Sequence, residues 1–187
     1  MYFYSDDKYV LKNELGLEDS DSLNEAERML TTIRIAKIRK NNYKEFSFKT
    51  LKNIHYELFK GIYPWAGKIR NINISKGNTI FCMFEYIETM AEDIFDKLDK
   101  KNYLKGLTQE EFCRELAELF GDLNILHPFR EGNGRTEREF IYHLAKNAGY
   151  ELDLTKLSKA EYMTAAIMSV VDCSRMKKLM LNIIKKK

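Results

Sequence analysis

Only two prolines, Pro64 and Pro128, occur in 187 residues, together with nine glycines. So few breakers exclude collagen-like, low-complexity and linker-divided organisation, and they leave long stretches free to run as helices. The three cysteines, Cys82, Cys113 and Cys173, are scattered without C-x-x-C spacing. They give neither a disulfide framework nor a zinc signature. No apolar run reaches transmembrane length, and the opening MYFYSDDKYV lacks a basic n-region with an apolar h-region. The expectation is therefore a cytoplasmic protein with no membrane partner. Neither sign of charge dominates: 31 basic against 28 acidic residues leave +3, which is no nucleic-acid footprint. Lys185, Lys186 and Lys187 read as a solubilising tail. What is present in quantity is hydrophobic material, 44% of the chain with 12% aromatic, enough to fill the core of one domain over 1–187.

Apolar residues recur at helical spacing through most of the chain, which predicts an all-α, mainly helical bundle. Segments 22–40, 47–60, 84–99, 108–126, 134–148, 158–171 and 174–185 are the expected helices. In 22–40 the expected buried face is Ala26, Met29, Leu30, Ile33 and Ala36. Segment 108–126 carries Phe112, Leu116, Leu119, Phe120, Leu123 and Leu126, with Cys113 in the same core pattern. Three S/T-x-x-E capping boxes, Ser22 with Glu25, Thr108 with Glu111 and Ser158 with Glu161, mark helix starts. The exception is 70–82, RNINISKGNTIFC, where Ile72, Ile74 and Ile80 flank a Lys-Gly-Asn turn and predict a short β-hairpin.

The chemistry is concentrated in His127 to Arg138, HPFREGNGRTER. Gly132, Asn133 and Gly134 make a turn that can bring backbone N–H groups close to a ligand. A helix follows, and a glycine turn opening a helix favours an anion. Arg135 and Arg138 stand three residues apart, roughly 4.5 Å along a helix axis, near the spacing of neighbouring phosphates. Guanidinium grips phosphate oxygens in a fork. Glu131 beside a triphosphate suits Mg²⁺. His127, with an ordinary pKa of about 6.5, can take a proton from a nucleophile. A lone turn, histidine or arginine pair would be read as structural; no single structural need calls for all of them in this order.

This run resembles the Fic signature, H-P-F-x-(D/E)-G-N-G-R-x-x-R, at every fixed position. IYPWAGKIR at Ile62 to Arg70, followed by NISKGN at Asn73 to Asn78, resembles the segment leading into the Fic target-docking flap, and VLKNELG at Val10 to Gly16 resembles the opening of many Fic domains. The resemblance implies adenylyl transfer, with AMP passing from ATP to a Ser, Thr or Tyr hydroxyl of a target protein and pyrophosphate leaving. His127 would be the general base. Glu131 would hold Mg²⁺ against the α- and β-phosphates. Gly132, Asn133 and Gly134 would form the anion turn, with Asn133 touching the α-phosphate, Arg135 the β-phosphate region and Arg138 the γ-phosphate. The flap would comprise Ile74, Ser75, Lys76, Gly77, Asn78, Thr79, Ile80 and Phe81, pairing with an extended target segment by strand addition. Ile80 or Phe81 would clamp that segment.

Gly134 stands where a phosphorylating branch of the family carries Lys, so the resemblance is to the adenylylating form; a protein kinase or another nucleotidyl or phosphoryl transferase on the same fold is the alternative reading, and a non-catalytic binding module is a third. Many Fic proteins carry an inhibitory helix, [S/T]-x-x-x-E-[G/N], and this sequence has none. The chain thus resembles the class held by a separate small antitoxin, whose Glu would reach Arg138, making it the toxin of such a pair. His55 reads as packed or at the surface, Trp65 as a packing anchor under the flap, and His143 as structural, with an approach to the nucleoside as the other reading.

Overall fold

The computed structural model describes residues 2–5, 8–77, 79–169 and 171–186. Among them seven α-helices carry the fold: α1 (Ser20–Ile38), α2 (Phe48–Phe59), α3 (Ile87–Lys100), α4 (Gln109–Leu126), α5 (Asn133–Asn147), α6 (Lys159–Met168) and α7 (Ser174–Ile183). Three two-stranded antiparallel sheets accompany them: β1 (Phe3–Ser5) with β2 (Lys8–Leu11), β3 (Ser75–Lys76) with β4 (Thr79–Ile80), and β5 (Tyr150–Leu152) with β6 (Ile184–Lys186). The architecture is mainly helical, and the hairpin expected within 70–82 is β3–β4, with Ser75 opposite Ile80 and Lys76 opposite Thr79. Asn78 and Lys187 lie outside the described residues. No described helix is long and apolar enough to cross a membrane.

α4 is the hub, because its apolar residues are too many for one stripe. Phe112, Cys113, Leu116, Ala117, Leu119, Phe120, Leu123 and Leu126 are all buried, as suits a helix covered on several sides. α3, α5, α6 and α7 lie against it. Its start is set by a true capping box, in which the Thr108 hydroxyl accepts from the Glu111 N–H and the Glu111 carboxylate accepts from the Thr108 N–H. Ser158 caps α6 by one half of that arrangement: its hydroxyl accepts from the Glu161 N–H, and the Glu161 carboxylate accepts from the same hydroxyl rather than from the Ser158 N–H.

Three expectations need correction. α1 begins two residues early and is capped by Asp19, whose carboxylate accepts from the Ser22 N–H at 2.8 Å; Ser22 is inside the helix. The face that α1 buries is Leu23, Glu27, Thr31 and Ile38, while Met29 and Ile33 remain 59% and 67% exposed. Apolar periodicity misjudged this helix because its inner face contains polar residues with partners: the Thr31 hydroxyl donates to the Glu27 carbonyl, and the Glu27 carboxylate has work elsewhere. Finally, Lys185 and Lys186 are no free tail, since they belong to β6 and pair with Glu151 and Tyr150.

Candidate active site

The run 127–138 links the end of α4 to the start of α5, and its backbone does the first part of the positioning. His127 terminates α4 in the left-handed region, at φ 40° and ψ 60°. For a residue with a Cβ this costs roughly 1–2 kcal/mol, so something must hold it. The Arg70 Nε–H donates to the His127 carbonyl at 2.9 Å, and the Arg70 N–H donates to the Pro128 carbonyl at 2.9 Å. Gly132 caps α5 at φ 83°, and a Cβ there would meet Phe59 ring carbons at 2.3 and 2.4 Å. Glycine is needed twice over, for the backbone angle and for the approach of α2. From this turn the N–H groups of Asn133, Gly134 and Arg135 open the helix without intrahelical carbonyls, which is the arrangement that attracts anions.

The His127 ring has a determined tautomer. Its Nδ1 lies 3.2 Å from the Asn124 carbonyl oxygen, which can only accept, so Nδ1 carries the hydrogen and Nε2 keeps its lone pair. Burial pushes the imidazole pKa down to about 4, with the positive charges of Arg70 and Lys76 adding to the effect. The ring is therefore neutral at pH 7. Phe81 is stacked on it, ring centres 3.7 Å apart and planes within 10°. Of the two clamp candidates, Phe81 is buried against His127, and Ile80 is 80% exposed on the hairpin. Ile74 and Thr79 are half-buried, and Ser75, Lys76 and Gly77 are exposed.

Glu131 is exposed at the mouth of the turn, while its carbonyl accepts from His55. His55, expected to be packed or at the surface, is fully buried in α2 and stacked on Phe129 at 3.8 Å. Its Nδ1 accepts from the Gly67 N–H at 2.8 Å, so Nε2–H is the donor to Glu131, at 3.0 Å. Burial pushes its pKa down to about 3, which keeps that arrangement intact through the neutral range. Among the described residues no cluster of three or more His, Cys, Asp or Glu side chains gathers to hold a metal. A single exposed carboxylate is nonetheless the donor type that suits Mg²⁺, which takes one or two carboxylates together with phosphates and water.

The two arginines are not equivalent. The Arg135 guanidinium donates to Glu27 at 2.5 Å and lies 4.9 Å over the Phe59 ring. Glu27 is buried and also accepts from the Tyr63 hydroxyl, whose pKa is raised by burial and by the carboxylate. Arg138 lies 5.1 Å over the Tyr162 ring, and its Nη1 is 3.6 Å from where a Gly134 Cβ would stand. Among the described residues it forms no ion pair, although burial pushes the neighbouring Glu137 up to about 7. The Asn133 side chain is engaged at both ends with Phe129, accepting from its N–H at 2.9 Å and donating to its carbonyl at 2.8 Å. That amide braces the loop.

His143 lies ten residues into α5 from Asn133, about 15 Å along the axis, buried against Tyr43 in a cavity of about 270 Å³ with Asn42, Lys44, Lys146 and Asn147. It belongs to the other end of the helix. Trp65 stacks on Tyr63 at 4.3 Å. Glu27, Asn124 and Arg70 are the residues sequence reasoning missed, while His55 is packed as expected but with its link to Glu131 unforeseen; for Arg70 the available signal was its place at the end of IYPWAGKIR.

The Fic/DOC family profile matches residues 45–145. The chain is 39% identical over 161 residues to protein adenylyltransferase VbhT of Bartonella schoenbuchensis, covering 86% of this chain and 34% of that protein. This chain thus spans about a third of that relative's length. It is 33% identical to the Escherichia coli (strain K12) protein named "Probable protein adenylyltransferase Fic", covering 83% of this chain and 78% of that one. The crystal structure of BepC from Bartonella tribocorum, solved with bound AMPPNP, superposes with a TM-score of 0.94 at 27% identity, covering 100% of this chain and 97% of that one. On the sequence and the fold together, the chain belongs to the Fic/DOC family.

Proposed function

We propose that this chain is a protein adenylyltransferase that moves AMP from ATP to a hydroxyl side chain of a target protein. The observation that carries the proposal is the contact of the His127 Nδ1 with the Asn124 carbonyl oxygen, at 3.2 Å, which in a neutral ring leaves the Nε2 lone pair for a proton, in the loop that leads into the start of α5. In the proposed reaction Nε2 takes the proton of the target hydroxyl. The hydroxyl oxygen forms a bond to the α-phosphorus, the bond from that phosphorus to the bridging oxygen breaks, and pyrophosphate leaves with the electron pair. The N–H groups of Gly134 and its neighbours and the Arg138 guanidinium receive the phosphates. Arg135, already paired with Glu27, contributes its remaining N–H groups and fixes α1 against the site. Glu131 would hold Mg²⁺, which when bound offsets charge on the departing pyrophosphate.

The hairpin serves the target. Its strands are short and exposed, so an extended segment can add to an edge, with Ile80 pressing on it. That the whole chain works as one Fic domain is part of the proposal, supported by a core running continuously from Val10 to Ile184. So is restraint by a small antitoxin in a cytoplasmic setting, with the inhibitor's Glu pairing with Arg138. The lack of an inhibitory motif in the sequence and of an ion pair to Arg138 among the described residues both support it.

Mass spectrometry of peptides from a lysate incubated with the chain, ATP and Mg²⁺ tests the reading. AMP on Ser, Thr or Tyr is expected; phosphate alone would turn the reading to a kinase, and unmodified peptides with retained nucleotide to a binding module.

A further inference from the structure

Arg70 has no part in the reaction proposed above, yet among the described residues it is the largest fully buried side chain, 1% exposed. Its guanidinium reaches three separate pieces of chain. Nη1 donates to the Ile72 carbonyl at 2.7 Å, just before the β3–β4 hairpin. Nη2 donates to the Cys82 carbonyl at 2.5 Å, just after it. Nε donates to the carbonyl of His127 at 2.9 Å, and the Arg70 backbone N–H donates to the Pro128 carbonyl. The Cys82 N–H in turn donates to the Ile125 carbonyl at 2.9 Å, tying the hairpin's exit to the last turn of α4.

Among the described residues no carboxylate pairs with this guanidinium. A buried cation compensated only by carbonyls is a poor source of stability compared with packed apolar atoms, since desolvation works against it. What it supplies is direction. A planar fork can hold three carbonyls at fixed angles, which an ammonium cannot. The three held are the two feet of the hairpin and the left-handed residue that ends α4. Phe81, next to Cys82, lies flat on the His127 ring, so hairpin and base are joined a second time through side chains.

We propose that Arg70 is a positioning residue that locks the hairpin and the His127 backbone into one unit, so that a hydroxyl presented on the hairpin arrives in line with Nε2. The transfer step itself rests on the adenylyltransferase reading; the mechanical coupling does not.

The test uses the full chain with Arg70→Lys and Arg70→Gly. With Arg70→Lys, kcat for transfer falls about 10²-fold, the loss typical of a misplacement near 1 Å, while KM for ATP stays within about threefold. Ethylguanidinium restores part of the rate in Arg70→Gly. NMR of the His127 ring supplies a readout free of activity: stacking under Phe81 shifts its ring protons upfield in wild type, and Arg70→Lys moves them toward solvent values. If neither variant folds, hydrogen exchange in the wild-type chain decides. Coupling requires the amides of Arg70, Cys82 and His127 to share one opening rate, and rates more than about tenfold apart overturn it. Wild-type kcat and unchanged ring shifts in Arg70→Lys also overturn it. A wild-type chain that transfers no AMP sinks the activity reading alone, because ring shifts and exchange still judge the coupling.

Discussion

Substituting Gly132 with Ala challenges the turn at its tightest point. Two costs combine. At φ 83° a side chain pays roughly 1–2 kcal/mol for the left-handed backbone. The new Cβ would also stand 2.3 Å from Cζ of Phe59, about 1.2 Å inside an ordinary contact of about 3.5 Å. Phe59 cannot swing clear, being fully buried beside His55 with ring centres 4.6 Å apart and under the Arg135 guanidinium. Overpacking of this kind costs about 1–3 kcal/mol. The sum is a loss of roughly 2–5 kcal/mol, or roughly 4–20 °C in Tm at this chain length. Urea unfolding followed by circular dichroism measures it. In a Phe59→Leu background the steric part shrinks, and Gly132→Ala should cost only the backbone part of about 1–2 kcal/mol. A cost below about 1 kcal/mol, or the same cost in both backgrounds, refutes the reasoning.

Glu27→Ala removes the buried partner of Arg135 and Tyr63; a stability loss of about 3 kcal/mol is expected at equilibrium unfolding, and less than about 1 would mean that the pair is not structural. The pH dependence follows from His127, whose folded pKa is depressed to about 4: the base form persists as pH falls, so the acidic limb of kcat/KM lies near pH 4, and a limb near 6.5 would contradict the buried, neutral ring. His55, pushed down to about 3, takes up its proton more readily when unfolded. Its contribution is complete above about pH 6.5 and lost as pH falls toward 3, and His55→Asn should flatten the acid slope of stability seen in urea titrations. Ile80→Asp should raise KM for the target protein while leaving ATP binding, followed by calorimetry, unchanged, since Ile80 projects from the hairpin.

The signature could be read directly because its chemistry is contiguous, twelve residues that fold into one loop and one helix start. Its supports could not, because they come from far along the chain. Glu27 lies 108 positions from Arg135, His55 lies 76 from Glu131, and Arg70 lies 57 from His127. Each was hidden differently. Glu27 sits on the buried face of α1, where an apolar count sees a gap, so the periodicity pointed to Met29 and Ile33 instead. His55 looks like any histidine in an amphipathic helix until its two ring nitrogens are given partners. The engagement of Asn133 with Phe129 depends on the curl of the loop, which residue types do not specify. α4 was legible throughout, because a helix buried on several sides carries its apolar residues without compromise.

The central claim is transfer of the α-phosphoryl group by way of His127. The purified chain, Mg²⁺ and target lysate are incubated with ATP labelled at the α-phosphate, in parallel with ATP labelled at the γ-phosphate, for wild type and His127→Ala. The account predicts protein-bound label from the α-phosphate alone, reduced about 10²- to 10⁴-fold in His127→Ala. Label from the γ-phosphate, or α-label that survives the loss of His127, would contradict it.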